Sequence, residues 1–168
     1  MIFETERLIV RLLHLDDRDA FYGMMSNPNI MNPIPRQAMD RETSDACFYK
    51  YLNLDSTSKT RVLAVEEKET LSFIGIVAYL KNNEEEDEIG YRLLEQYWGK
   101  GYGTEITKGL INFGFYNLEL DLITADVNTT NERSIKILDK FFSRYSEFYN
   151  KEDNCTDRRY KLARKDWL

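Results

Sequence analysis

The chain has almost no cysteine and almost no histidine: Cys47, Cys155 and His14 are the full set among 168 residues. Two distant cysteines without CxxC spacing build no disulfide framework, and with a single histidine they make no zinc-ligand pattern. Proline occurs three times, always inside "NPNIMNPIP" (27 to 35), so this segment reads as a loop that no helix crosses. Basic residues are in deficit. The 23 Lys and Arg face 29 Asp and Glu, a formal charge of −6, which speaks against nucleic acid, whose phosphates need cationic cover. The same balance suits a cationic substrate, or simply a soluble surface. No apolar run reaches the length of a membrane span, and "MIFETERLIVRL" carries charges where a signal peptide needs its apolar core. The expectation is a reduced, cytoplasmic protein with no metal, no membrane and no nucleic-acid partner.

What is present suffices for one core. At 168 residues, with 42% apolar and 31% charged, the chain fits a single domain over 1–168. "RLIVRLL" (6 to 12) has the β-branched character of a strand. Asp16 or Asp17 offers an N-cap for a helix carrying Ala20, Phe21, Met24 and Met25, and a second helix fits 41 to 54. Runs 60 to 67 and 71 to 80 read as strands of a hairpin through "EKET", and a polar turn over 81 to 88 leads into the strand "IGYRLL". A helix to about residue 116, a strand over 121 to 127, a helix over 131 to 142 and a closing strand in "YKLARKDWL" complete the order β-α-α-β-β-β-α-β-α-β. A meander followed by a strand–helix–strand unit predicts a mixed α/β sheet with helices on its faces.

The most informative stretch is "QYWGKGYGTE" (96 to 105), with glycine at 99, 101 and 103 between a strand and a helix. Bare backbone there turns the unpartnered first N–H groups of the helix outward, where the helix dipole adds roughly half a positive charge. A phosphate or pyrophosphate is the natural occupant, and Lys100 adds a counter-charge. The triphosphate signature GxxxxGK[ST] is absent, because Gly101 follows Lys100. The dinucleotide fingerprint GxGxxG fails as well, since the spacing is G-x-G-x-G after a three-stranded meander.

Here the chain resembles the GNAT superfamily of acetyl-CoA-dependent N-acetyltransferases. "WGKGYG" (98 to 103) is similar to the family's Q/R-x-x-G-x-G/A loop, with Trp98 in place of Gln or Arg. The Trp-Gly-x-Gly-Tyr form with a following Glu is closest to the branch resembling ribosomal-protein-alanine N-acetyltransferases. "ETERLIVRLLHLDDRDAFYGMMSNPNIM", "EIGYRLLEQYWGKGYGTE" and "ADVNTTNERSIKILDKF" agree in order, so the likeness covers most of the chain. It implies a single-domain α/β (α+β type) fold: a mixed, mainly antiparallel sheet splayed at a central bulge, with helices on both faces. It implies that amides of Gly99, Lys100, Gly101, Tyr102, Gly103 and Thr104 hold the pyrophosphate of acetyl-CoA. Strand amides near Leu93 and Leu94 would bond pantetheine, and a neighbouring amide would polarise the thioester carbonyl. Gly90 inside a strand is consistent with a bulge or a close backbone approach.

Acetyl transfer to an amine needs a proton acceptor and support for the leaving thiolate. Glu88 stands where many relatives carry a catalytic glutamate, and the acidic run before it favours its protonated form. The same "EEEDE" run also reads as a solvated turn, or as an acidic mouth that attracts an amine without acting as base. The Tyr that many relatives place on the later helix is Leu138 here. Asn131, Ser134 and Leu138 share one helix face. Asn131 then serves as a cofactor contact or as a plain N-cap, and Ser134 as the sulfur's acid or as an exposed hydroxyl. The family's "K-L-G-F" ending is "KFFS" (140 to 143), so the helix exit departs from the pattern. His14 reads as a surface residue, and Trp98 as a wedge between loop and core. The implied function is acetyl transfer to a primary amine, a protein N-terminus or a small amine, by a monomer or homodimer. The alternative is a non-catalytic acyl-CoA-binding or regulatory module.

Overall fold

A computed structural model describes residues 1–55 and 57–167. Its strands are β1 (Phe3–Glu4), β2 (Leu8–Arg11), β3 (Arg61–Glu67), β4 (Ser72–Lys81), β5 (Asp87–Leu93), β6 (Leu122–Asn128), β7 (Ser143–Asn150) and β8 (Cys155–Ala163). Its helices are α1 (Arg18–Met25), α2 (Pro28–Met31), α3 (Arg41–Leu52), α4 (Tyr102–Tyr116), α5 (Glu132–Phe141) and α6 (Arg164–Trp167). All eight strands join one sheet in the order β1-β2-β3-β4-β5-β6-β8-β7. Every neighbouring pair is antiparallel except β5 and β6, which run parallel and pair only at Glu88 and Thr124. No described helix is long and apolar enough to cross a membrane.

The sheet is covered on both faces, as expected. Ile106, Leu110, Ile111 and Phe115 of α4 and Leu138 of α5 pack on one face, with Val65, Val77, Ile123 and Tyr160. Phe21, Met24 and Met25 of α1, Met31 of α2 and Phe48 of α3 cover the other, over Ala64 and Ile76. The helical glycines Gly109 and Gly114 are tolerated in α4 because added β-carbons would lie 2.8 Å from Thr5 and 2.7 Å from Ile123. There the close approach to the sheet offsets the propensity cost of about 1 kcal/mol each.

Several elements differ from expectation. A one-turn helix, α2, occupies the proline segment: Pro28 sits at its first position, where the missing N–H costs nothing, and the Asn27 side chain caps Asn29 N at 2.9 Å. Asp17 precedes α1, but its carboxylate accepts from both Arg11 terminal nitrogens and from His14 N instead of capping the helix. The polar run "SRYSEFYN" forms β7, an outer strand held by the β8 ladder and not by a buried face. Phe142 is extended and feeds it directly, so the helix leaves α5 without the family's glycine. The closing strand begins earlier than expected and stops at Ala163, where Arg164 N bonds Asp121 O and α6 begins. The expected bulge is absent from β5, whose ladder with β4 keeps its register from Asp87 to Leu93. The register shift lies next door, between Val65 and Glu66 of β3.

Gly75 lies opposite Leu93 in the β4–β5 ladder, where an added β-carbon would stand 2.1 Å from Arg92 O and 2.9 Å from Leu93 Cα. Backbone cannot yield as a side chain does. Gly75→Ala is expected to cost about 2 kcal/mol or more of unfolding free energy; an unchanged denaturant midpoint would count against this packing.

Candidate functional site

The site begins with backbone pairing. In an antiparallel ladder, alternate residues turn their amides toward the partner and away from it. Leu94 N donates to Ile74 O at 2.8 Å, so residues 88, 90, 92 and 94 face β4, while 89, 91 and 93 face β6. Beyond the single Glu88–Thr124 pair, β6 is no longer alongside. The Ile89 amide is spent on the bridge to Thr124, and the amides of Tyr91 and Leu93 lie beyond it, bordering a slot on the side where the strands diverge. This corrects one expectation: the Leu94 amide is spent on β4 and cannot serve a ligand, whereas that of Leu93 faces the opening.

A cavity of about 710 Å³ runs through this slot, within the usual span for small-molecule sites. One edge is β5 from Glu88 to Arg92, the other is β6 from Ala125 to Asn128, and Asn131, Ser134 and Leu138 of α5 close the α4 side. On the other face it is walled by Ile34, Arg36, Tyr51 and the β7–β8 turn. Gly90 contributes bare backbone: nothing stands within 4 Å of where its β-carbon would be.

Side chains alternate too, so Glu88, Gly90 and Arg92 face the α1–α3 side. Glu88 is only partly exposed, and its carboxyl is pushed up to about 7. Burial is the main cause, the Asp126 carboxylate adds to it, and the Arg159 guanidinium pulls the other way. Arg159 is itself 2% exposed and forks onto Asp126 at 2.8 and 2.9 Å. The acidic run before Glu88 divides. Asn82 organises a tight turn by accepting from Glu84 N and Glu86 N, leaving Glu84 and Glu85 in solvent, while Asp87 and Glu88 enter the strand.

The glycine segment stands at the surface beside this slot. Gly99 and Gly101 have φ of 74° and 80°, left-handed values that favour glycine. Among the described residues, no acceptor takes the main-chain N–H of any residue from 99 to 104, and the first intrahelical bond is Glu105 N to Gly101 O. The carboxylate of Glu105 holds this turn in place, accepting from Thr5 Oγ1 at 2.6 Å, Arg7 N at 2.8 Å and Arg7 Nε at 2.7 Å. The Tyr102 hydroxyl donates to Glu67 in the core. Lys140 Nζ reaches Thr104 Oγ1 at 3.2 Å, placing a cation at the first turn of α4. Trp98 packs against both core clusters and donates to Leu93 O, as its wedge role requires.

On α5, Asn131 Oδ1 caps Ser134 N at 3.3 Å, and both residues line the cavity. Tyr91 was not anticipated. Its phenol lies near Ser134, and its oxygen would be 2.8 Å from a β-carbon on Gly103. Arg7, Lys140, Asp126 and Arg159 also escaped the sequence reading. Of these only Asp126, a lone charge in an alternating strand, left a local signal. His14 is exposed, as expected.

The family model for the acetyltransferase (GNAT) domain matches residues 7–141. The chain belongs to the GNAT acetyltransferase family. It is 33% identical over 139 residues to an uncharacterized N-acetyltransferase, p20, of Bacillus licheniformis, covering 80% of this chain and 77% of that one. It is 30% identical to the uncharacterized N-acetyltransferase YnaD of Bacillus subtilis, over 90% and 87% of the two chains. Among solved structures, a GNAT-family acetyltransferase from Bacillus anthracis superposes with a TM-score of 0.83 at 22% identity, over 96% and 98% of the two chains. A spermidine N-acetyltransferase from Vibrio cholerae, solved with CoA and spermine, gives 0.79 at 18% identity, over 96% and 98%. This GNAT chain is thus an N-acetyltransferase, and enzymes of its family draw the acetyl group from acetyl-CoA.

The folded state of this GNAT domain holds the Glu88 proton more tightly than the unfolded chain, where glutamate titrates at about 4.3. That contribution to stability is full below the unfolded value and is lost as the pH rises through about 7. Glu88→Gln should therefore melt higher than the parent at mildly alkaline pH and alike near pH 4; a constant difference by calorimetry would contradict this environment.

Proposed function

We propose that this GNAT enzyme acetylates a primary amine by direct attack on the acetyl-CoA thioester, with the cosubstrate lying along the β5–β6 slot. The observation that carries this is the row of unpartnered amides at residues 99–104 beside unpaired strand amides facing the same opening. The amides of Gly99 through Thr104 and the dipole of α4 meet the pyrophosphate, with Lys100 and Lys140 as counter-charges. Amides of the slot, Leu93 among them, bond the pantetheine arm. Asn131 keeps its cap on α5 while facing the same channel.

Acetyl-CoA supplies an activated carbonyl. A slot amide of β5 polarises its oxygen, in the manner of an oxyanion hole. Glu88, with a carboxyl near neutrality, takes the proton from the incoming ammonium; an ordinary glutamate would be too weak a base. Asp126 and Arg159 keep it in that range. Ser134, backed by the Tyr91 phenol, supports the departing sulfur in place of the tyrosine that Leu138 replaces. The acceptor is a small amine or a protein N-terminus, and the relative solved with spermine favours the small amine.

Gly101→Val places a β-branched residue at φ 80°, which should weaken CoA binding about 100-fold or more while leaving the fold intact. Unchanged affinity by calorimetry would refute this loop as the pyrophosphate site. Glu88→Gln should depress turnover strongly at neutral pH and much less at alkaline pH, where free amine is available. Parallel rate–pH profiles would remove Glu88 as the base.

A further inference from the structure

Given acetyl transfer beside Glu88, a reading on which this inference rests, we propose that the acceptor is a small amino acid-like molecule whose carboxylate is anchored by Arg92. Arg92 lies four residues after Glu88 on the same face of β5, about 13 Å along the strand. Between them is Gly90, with open space above it, paired with Ala78 of β4. Two small residues thus floor a trough with a carboxyl at one end and a guanidinium at the other.

The guanidinium is the unusual group. Arg92 Nε is buried with no hydrogen-bond partner among the described residues, and Nη1 contacts only the thioether of Met25, at 2.9 Å. A thioether is a weak acceptor, and no described carboxylate forms an ion pair with Arg92. Arg36, also on the cavity wall, adds a second positive charge near it, held 3.6 Å from Asp153 at the mouth. A buried charge left unpaired is costly, and a planar carboxylate is the partner that answers a guanidinium fork. The Tyr51 hydroxyl lines the same wall, and Ile34, Val62 and Ile76 supply apolar surface for the body of the molecule. At the far end the Glu88 carboxyl meets the ammonium, beside Asp126 held by Arg159. A polyamine would bring a further ammonium toward Arg92 and Arg36, and the repulsion argues against that acceptor.

The test uses purified full-length protein, acetyl-CoA, a panel of amino acids each paired with its amide, and spermidine. Thiol release is followed for the parent and for Arg92→Met, which removes the unpaired charge and leaves an apolar side chain that should fold as well or better. The carboxylate-bearing acceptors should be preferred. Arg92→Met should raise their KM about 10- to 100-fold, the range for losing a charged hydrogen bond, and should raise the KM of the amides far less. A preference for spermidine, or equal losses on acids and amides, overturns the proposal. Calorimetry with the corresponding N-acetyl amino acids gives a second reading that needs no turnover. Binding to the parent that falls at least tenfold in Arg92→Met, and also in Arg36→Ala, supports the anchor; no binding, or equal binding, overturns it. Failure to bind CoA would sink the acetyl-transfer reading while this anion-binding measurement still reports on Arg92.

Discussion

Among the described residues Glu88 and Thr124 make the only pairing between two blocks of sheet, β1–β5 and β6–β8, and the rest of the molecule is arranged around that narrow join. It is reinforced rather than loose. The Thr124 hydroxyl donates to Asp87 O at 2.9 Å and accepts from Asn82 at 3.3 Å, so the strands are tied at one end and free at the other. In a continuous sheet the amides beyond this point would be consumed by the neighbouring strand. Here they face a channel. The core survives the split because α4 lies across it, packing Ile106, Leu110 and Phe115 against residues of both blocks.

The same join governs the charge chemistry. It brings Glu88 beside Asp126, and the β6–β8 ladder sets Arg159 opposite Asp126. Arg159 neutralises Asp126 through a two-pronged contact, while Glu88 is left with burial and a nearby negative charge and holds its proton to near neutrality. Arg159 also bonds Asn83 of the preceding turn at 2.6 Å and lies over the Phe148 ring, tying the acidic turn to the β7–β8 arm. One guanidinium thus links the proton-accepting end of the channel to the wall that closes it.

The glycine loop depends on partners far away in the chain. Exposed, positive-φ residues have little to hold them locally, and the conformation persists because Glu105 binds the β1–β2 turn, Tyr102 reaches Glu67 and Trp98 is lodged between two clusters. Anchoring behind the loop leaves its front amides bare, the condition an anion site needs.

Elements with strong periodicity were legible in the chain: α4 and α5 by their apolar stripes, β3 and β4 by β-branched runs, and the glycine turn by residue type. The polar strand β7 was not, since its place comes from a ladder partner and not from a buried face. The helix α2 was hidden by prolines, one of which starts it. Local order of residue types was thus enough to announce a bare-backbone turn before a helix and an acidic residue at a strand's start. It could not say that the Leu94 amide is used up, that Glu88 titrates near neutrality or that Arg92 lacks a counter-ion. Each of these depends on which distant strand or helix lies alongside, and a segment's own residues do not carry the identity of its neighbours.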